Sequence, residues 1–139
     1  MTRNIAICID RSIFRTIDGF DSVDINNLDS IINYSVNALL IDYLNLIENN
    51  SIPRLLENIF QKMAVGGQMV IRFIDAKILA KKFAENLISE DQFAEHITIL
   101  KSILTVDNIY NVIEPDFIIN NIDQSDIYTT IKILRINIT

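Results

Sequence analysis

The chain has 139 residues, of which 50% are hydrophobic and 22% charged, with a formal net charge of −6. This balance excludes a disordered chain, and the acidic excess disfavours binding to nucleic acid, because phosphate backbones repel negative charge. Only three glycines are present, which excludes a glycine-rich phosphate or dinucleotide loop. The length predicts a single domain over residues 1–139.

The cysteine count and the hydropathy pattern narrow the class further. Cys8 is the single cysteine, so the sequence excludes an intrachain disulfide and a multi-cysteine zinc site, and we predict no metal. No apolar run approaches the roughly 18 residues of a spanning helix, and no signal-peptide pattern opens the chain. We therefore expect a cytoplasmic protein that does not contact a membrane.

The apolar runs of the first half predict three strands and one helix. Residues 4–10 and 20–25 are short strand-like runs, and 36–44 is almost continuously apolar, as in a strand covered on both faces. Residues 53–63 place their apolar side chains on one helical stripe, with proline in the first turn. The pair Gly66 and Gly67 is interpreted as the end of that helix and its turn.

The second half alternates in the same way. Residues 68–74 predict a further strand. Asp75 is expected to cap a helix to about residue 87, and Ser89 opens the next helix with a capping box, its buried stripe formed by Phe93, Ile97, Leu100 and Leu104. A short helix is predicted over 107–113. The strands 117–122 and 127–138 are close enough to require antiparallel pairing, so the chain ends in a hairpin on an α/β sheet.

Four segments together resemble the class I S-adenosylmethionine-dependent methyltransferases of the type 11 group. They are DGFDSVDI, YSVNALLIDYLNLI, IPRLLENIFQKMAVGGQMVIRFID, and DFIINNI with YTTIKILRI. The resemblance implies a three-layer Rossmann-like fold, a mostly parallel sheet with a C-terminal antiparallel hairpin, here truncated in its N-terminal part. Between Asp10 and Phe20 only nine residues intervene, too few for a helical crossover, and one strand of the family's seven is missing between residues 25 and 36.

The cofactor motifs of the family are degenerate in this sequence. Its glycine-rich loop, which cradles the methionine part of the cofactor, corresponds to CIDRSIF (residues 8–14), which contains no glycine. Its glutamate-histidine pair corresponds to Asn45 and Leu46. We therefore expect S-adenosylmethionine to bind weakly or not at all.

Four residues remain candidates for cofactor binding. Asp24 matches the acid that holds the cofactor ribose, although a strand-end carboxylate facing solvent is the stronger explanation. Asp10 is a second acid near the first strand, at no position of the family's motif. Asp42 interrupts the predicted buried strand 36–44 and is a candidate pocket acid, and the neighbouring Tyr43 offers a ring for adenine, although core packing is the stronger explanation. No catalytic residue is assigned, because the only histidine, His96, has no nucleophile placed to use it.

Three functions stay open at this point. The chain is a degenerate, non-catalytic partner or scaffold subunit, a working small methyltransferase, or a structural protein of a phage particle or assembly. Its alternating apolar residues from Ile5 to Ile9, followed by Ile13, Phe14 and Ile17, would expose a large patch on a shortened sheet. We therefore predict that residues 1–25 contact a protein partner, most simply in a two-fold homodimer.

Overall fold

The computed structural model describes residues 3–138. Within them, six strands form one mixed sheet in the order β2-β1-β3-β4-β6-β5, accompanied by four α-helices. The strands are β1 (Arg3–Cys8), β2 (Asp21–Asp24), β3 (Val36–Ile41), β4 (Met63–Ile74), β5 (Phe117–Ser125) and β6 (Tyr128–Arg135). The helices are α1 (Ile52–Lys62), α2 (Ala76–Ala84), α3 (Glu90–Ile99) and α4 (Val106–Tyr110). Three 3₁₀ turns occupy Ile25–Ser30, Leu44–Leu46 and Asn49–Ser51.

The sheet is parallel in its first part and antiparallel in its last part. β2, β1, β3 and β4 pair in parallel, whereas β6 pairs antiparallel with β4, and β5 with β6. The predicted mostly parallel sheet with a C-terminal antiparallel hairpin is confirmed. The two most apolar predicted strands are β3 and β4, which are parallel neighbours at the centre, as expected.

The predicted shortening is also confirmed. β1 and β2 are parallel neighbours, yet the connection between them, residues 9–20, contains no helix. Among the described residues, the segment between β2 and β3 contributes a 3₁₀ turn, Ile25–Ser30, and no strand. The first crossover is therefore a loop, and the sheet has one strand fewer than the family's seven.

One face of the sheet carries the main core. Strand residues such as Leu39 and Ile71 are fully buried there beneath α1, whose Phe60 is also fully buried. The Phe60 ring contacts the ring of Phe117 with centroids 4.6 Å apart, and Ile109 of α4 joins the same cluster. This face is covered because α1 is amphipathic along its full length and directly precedes the strand on which it packs.

The other face is covered at only one end. We call it the second face; it is formed by the alternate side chains of each strand. Near the carboxyl end of β4, Ile74 packs with Leu79 of α2 and with the half-buried Phe93 of α3. Farther along the same face, Leu40 and Val70 are only half-buried. The third layer of the fold is therefore reduced to α2 and α3.

The glycine pair does not end the helix as predicted. α1 ends at Lys62 and β4 begins at Met63, so Gly66 and Gly67 lie inside the strand, where its register with β3 shifts. Gly66 has a φ of +80°, and a Cβ on Gly67 would lie 2.7 Å from the carbonyl oxygen of Val36. The pair serves a bulge and a close backbone approach.

The predicted helix starts are confirmed, but the buried stripe of α3 is not. Asp75 accepts hydrogen bonds from the amides of Lys77 and Ile78, and Ser89 forms the capping box with Gln92. Ile97, however, is 38% exposed, and no residue of α3 is fully buried. Leu104 is buried as predicted, but it lies beyond the end of the helix at Ile99. The helix packs at the end of the sheet, through rings of Phe93 and Phe83 with centroids 4.3 Å apart, and not across the sheet.

Candidate functional site

A cleft of about 780 Å³ lies at the carboxyl ends of β1, β3 and β4. This edge is where open α/β sheets bind ligands. Its floor includes Ala6 and Leu40, and residues 9–17 of the loop after β1 form one wall. Asp10, Asp42 and Tyr43, three of the predicted site residues, line this cleft.

Asp42 is paired with an arginine that the sequence analysis did not single out. The Nη1 atom of Arg72 lies 3.1 Å from each carboxylate oxygen of Asp42, and the Tyr43 amide donates to Oδ1 at 2.8 Å. Burial alone would lower the pKa of Arg72, but the charge of Asp42 and its hydrogen bonds outweigh burial and raise it. The acid at the end of β3 is therefore already neutralised by the chain itself.

Two tyrosines hold the Arg72 guanidinium. Its Cζ atom lies 3.8 Å from the ring centroid of Tyr128 and 5.8 Å from that of Tyr43, close enough for cation–π attraction. Tyr43 reaches this position because it turns the chain out of β3 with a left-handed φ of 55°, so the strand ends at Ile41 and not at residue 44. Burial, aided by the hydrogen bond with Tyr43, raises the pKa of Tyr128 to about 12.

Asp10 organises the loop that follows β1. Its Oδ1 atom accepts hydrogen bonds from the Ser12 amide at 2.9 Å and the Ser12 hydroxyl at 2.8 Å, and these bonds lower the pKa of Asp10. Its backbone carbonyl accepts from the amides of Phe14 at 3.1 Å and Ile13 at 3.3 Å. Three successive amides of this loop, those of residues 12–14, thus point at Asp10.

Asp24 lies at the same edge of the sheet but does not line the cleft. Its side chain accepts from the amide of Asn26 at 2.9 Å and so begins the 3₁₀ turn that follows β2. Its Oδ2 atom lies 3.9 Å from Nε of the exposed Arg11. The structure therefore brings three of the four predicted residues together and leaves Asp24 in a capping role.

Asn45, which the sequence resemblance aligns with the family's glutamate-histidine pair, has a structural role. Asn45 is buried, and its side-chain amide donates to the carbonyl of Ile74 at 2.8 Å and accepts from the amide of the same residue at 2.7 Å. Its neighbour Leu46 lines the cleft. Asn45 thus fastens the segment after β3 to the end of β4 and offers no free group to a ligand.

Within residues 3–138, no group of three histidine, cysteine, aspartate or glutamate side chains is arranged to hold a metal ion. None of the helices in that range is long and apolar enough to cross a membrane.

Comparison with known proteins places the fold in a class. No family model matches the chain, and no curated protein matches it. Among solved structures, the plantazolicin methyltransferase BpumL in complex with SAH is similar, with a TM-score of 0.62 and 11% identity, over 96% of this chain and 67% of that one. An S-adenosylmethionine-dependent methyltransferase from Mesorhizobium loti is similar with a TM-score of 0.61 and 12% identity, over 95% of this chain and 80% of that one. An S-adenosylmethionine-dependent methyltransferase from Archaeoglobus fulgidus is similar with a TM-score of 0.58 and 12% identity, over 94% of this chain and 75% of that one.

These likenesses show the fold of the chain: it is that of the class I S-adenosylmethionine-dependent methyltransferases, as the sequence resemblance implied. The groups that the sequence analysis singled out for the cofactor already have contacts within the chain. The amides of residues 12–14 donate to Asp10, Asp42 pairs with Arg72, and Oδ1 of Asp24 accepts from the Asn26 amide. The second carboxylate oxygen of Asp24 lies 3.9 Å from Nε of Arg11.

Proposed function

We propose that this protein has a methyltransferase-like fold but does not catalyse methyl transfer, and that it acts as a partner or scaffold subunit of another protein. The observation that carries the proposal is the loop after β1. A cofactor cradle needs backbone amides that face the ligand, and the amides of residues 12–14 face Asp10 instead. The segment from Cys8 to Phe14 also contains no glycine, so each position carries a side chain where the family's loop has glycines that let the backbone approach the ligand.

The charge of the cleft supports the same proposal. Asp42 faces Arg72, whose Nη1 atom lies 3.1 Å from both carboxylate oxygens, and breaking this contact would leave the guanidinium unpaired between two tyrosine rings. Because a carboxylate offers about four lone-pair sites, a ligand would have to share Asp42 with this ion pair, which weakens the hold of Asp42 on the ligand.

Calorimetric titration of the full chain with S-adenosylmethionine and with S-adenosylhomocysteine tests the proposal. We expect no saturable heat with either compound below about 1 mM, a weak-binding limit of about −4 kcal/mol. An active methyltransferase titrated with the same stocks is the positive control. A dissociation constant in the low micromolar range would overturn the proposal, and weakening by Asp24→Ala would then show that the ribose acid is still in use.

A working small methyltransferase is the second candidate. It is favoured by the volume of the cleft, about 780 Å³, which lies within the range of roughly 300–1,000 Å³ usual for small-molecule sites. Transfer of a labelled methyl group from S-adenosylmethionine to any co-purified molecule would support this candidate, and the calorimetric titration separates the two.

We propose a smaller contact surface within residues 1–25 than the sequence analysis predicts. Ile5 and Ile7 are buried in the main core, contrary to the reasoning that left them uncovered. Ile13 and Ile17 are each 41% exposed. Residues 1 and 2 of the segment lie outside the described residues. The proposed contact surface of this segment is thus the loop between β1 and β2.

A further inference from the structure

The second face of the sheet is unusually bare for a mostly parallel sheet. The strand registers place two rows of side chains across five strands on it. The first row is Asn4, Ala38, Gln68, Leu134 and Ile118, and the second is Ala6, Leu40, Val70, Lys132 and Asn121. Parallel sheets are almost always covered on both faces, but α1 and α4 pack on the opposite face of this one.

The two rows are apolar and almost uncharged. Six of the ten side chains are alanine, valine, leucine or isoleucine, and none is a carboxylate, although the whole chain carries 18 acidic residues. Lys132 is the only charged member, and it forms no ion pair with any residue between 3 and 138. Ile118 is 43% exposed, so this apolar surface reaches solvent at the edge strand.

We propose that the second face binds a second copy of this chain, with two sheets packed face to face about a two-fold axis. The second face includes Ala6 and Leu40 of the cleft floor, so such a dimer would also cover part of the cleft. Face-to-face packing of sheets is a common arrangement, in which the inner side chains of both sheets interdigitate. In a two-fold interface the same patch serves both copies, so one bare face per chain is sufficient.

The area of the face suits a weak dimer. Five strands about 4.8 Å apart span about 24 Å, and the two rows, which cover about four residues along a strand, span about 13 Å, which gives a footprint of roughly 310 Å². The relief of the side chains and the exposed Ile13 and Ile17 of the adjoining loop add to this footprint. Because the footprint is below the roughly 800 Å² that each partner buries in a stable interface, we expect the dimer to dissociate on dilution.

Charge also favours this face over the others. With a net charge of −6, two copies repel one another wherever acidic surfaces meet. α3, for example, presents Glu90, Asp91 and Glu95 to solvent. The two rows carry no acid, so contact through them brings the fewest like charges together. Lys132 lies on the fifth of the six strands, where a long side chain extends to water at the border of an interface.

Sedimentation equilibrium of the full chain, from about 1 µM to about 1 mM, tests the proposal. We expect the mass to rise with concentration from 15.9 kDa to twice that value. Val70→Glu and Ile118→Arg should each weaken dimerisation at least about tenfold, because each places a charge in the apolar contact. The matched control is Ile32→Arg, which changes a residue that is 74% exposed outside the second face and should leave the dimerisation constant unchanged.

Two further measurements keep the test decisive. Circular dichroism confirms that each variant is folded; if Val70→Glu unfolds the chain, the edge variant Ile118→Arg alone decides. The chain has no tryptophan, so Gln68→Trp supplies a single reporter, whose emission should shift to the blue over the same concentrations as the mass. A monomer at all concentrations, or a dimer that neither variant weakens, would overturn the proposal.

Discussion

Replacing Asn45 by alanine is the sharpest test of how the carboxyl edge of the sheet is held together. The Asn45 side chain satisfies both the amide and the carbonyl of Ile74, at 2.7 and 2.8 Å, and it is 1% exposed. Alanine would leave two buried backbone groups without partners. Each such group costs about 1–3 kcal/mol, so we expect Asn45→Ala to lower the free energy of unfolding by about 4 kcal/mol.

Urea denaturation measures this loss. With a slope of about 2 kcal/mol per molar urea, the midpoint should fall by about 2 M. Asn45→Asp retains an acceptor for the Ile74 amide but turns a negative charge toward the Ile74 carbonyl, so it should destabilise at least as much at neutral pH. Asn37→Ala, on an exposed residue of β3, is the control. A loss below about 1 kcal/mol for Asn45→Ala would refute the reasoning.

Two further predictions concern aromatic residues. Phe60→Ala should lower the free energy of unfolding by about 3–5 kcal/mol, because Phe60 is fully buried. Phe83→Ala should lower it by less than about 2 kcal/mol, because Phe83 is only half-buried. Equal urea midpoints for the two variants would contradict the placement of α2. Burial, aided by Tyr43, raises the pKa of Tyr128 from 10.0 to about 12, so the phenol stabilises the fold fully below pH 10 and that contribution is lost as the pH rises toward 12. In a spectrophotometric titration of the folded protein, Tyr128→Phe should remove an ionisation near pH 12. A step near pH 12 that persists in this variant would contradict the assignment to Tyr128.

The strands could be predicted from the sequence, but not how they are covered. The run over residues 36–44 predicts a strand with both faces buried, and β3 does lie at the centre of the sheet. On one side Leu39 is fully buried, while Leu40 on the other side is half-buried. Leucine is equally compatible with both settings, because burial of a strand face depends on helices contributed by distant segments.

The same limit applies to the candidate site. Asp10, Asp42 and Tyr43 could be singled out because they are acidic or aromatic residues within the predicted apolar runs 4–10 and 36–44. The structure ends these strands at Cys8 and Ile41, which places all three residues at the edge where parallel strands end. Arg72 was missed because its partner Asp42 is 30 residues away, on a neighbouring strand whose register no local pattern reveals. The only available signal was an arginine in the otherwise apolar segment MVIRFI.

The order of the strands has a consequence for how the molecule opens. β1 and β2 stand together at one end of the sheet and are joined to the remaining strands only by the ladder between β1 and β3. Breaking that single ladder, together with the packing of Ile5, Ile7 and Val23 in the main core, releases residues 3–24 as a unit while the ladders around β4 stay intact. Proteins open locally in such cooperative units, with free energies below that of global unfolding. Amide protons of β1 and β2 should therefore exchange with solvent together, and earlier than those of the hairpin.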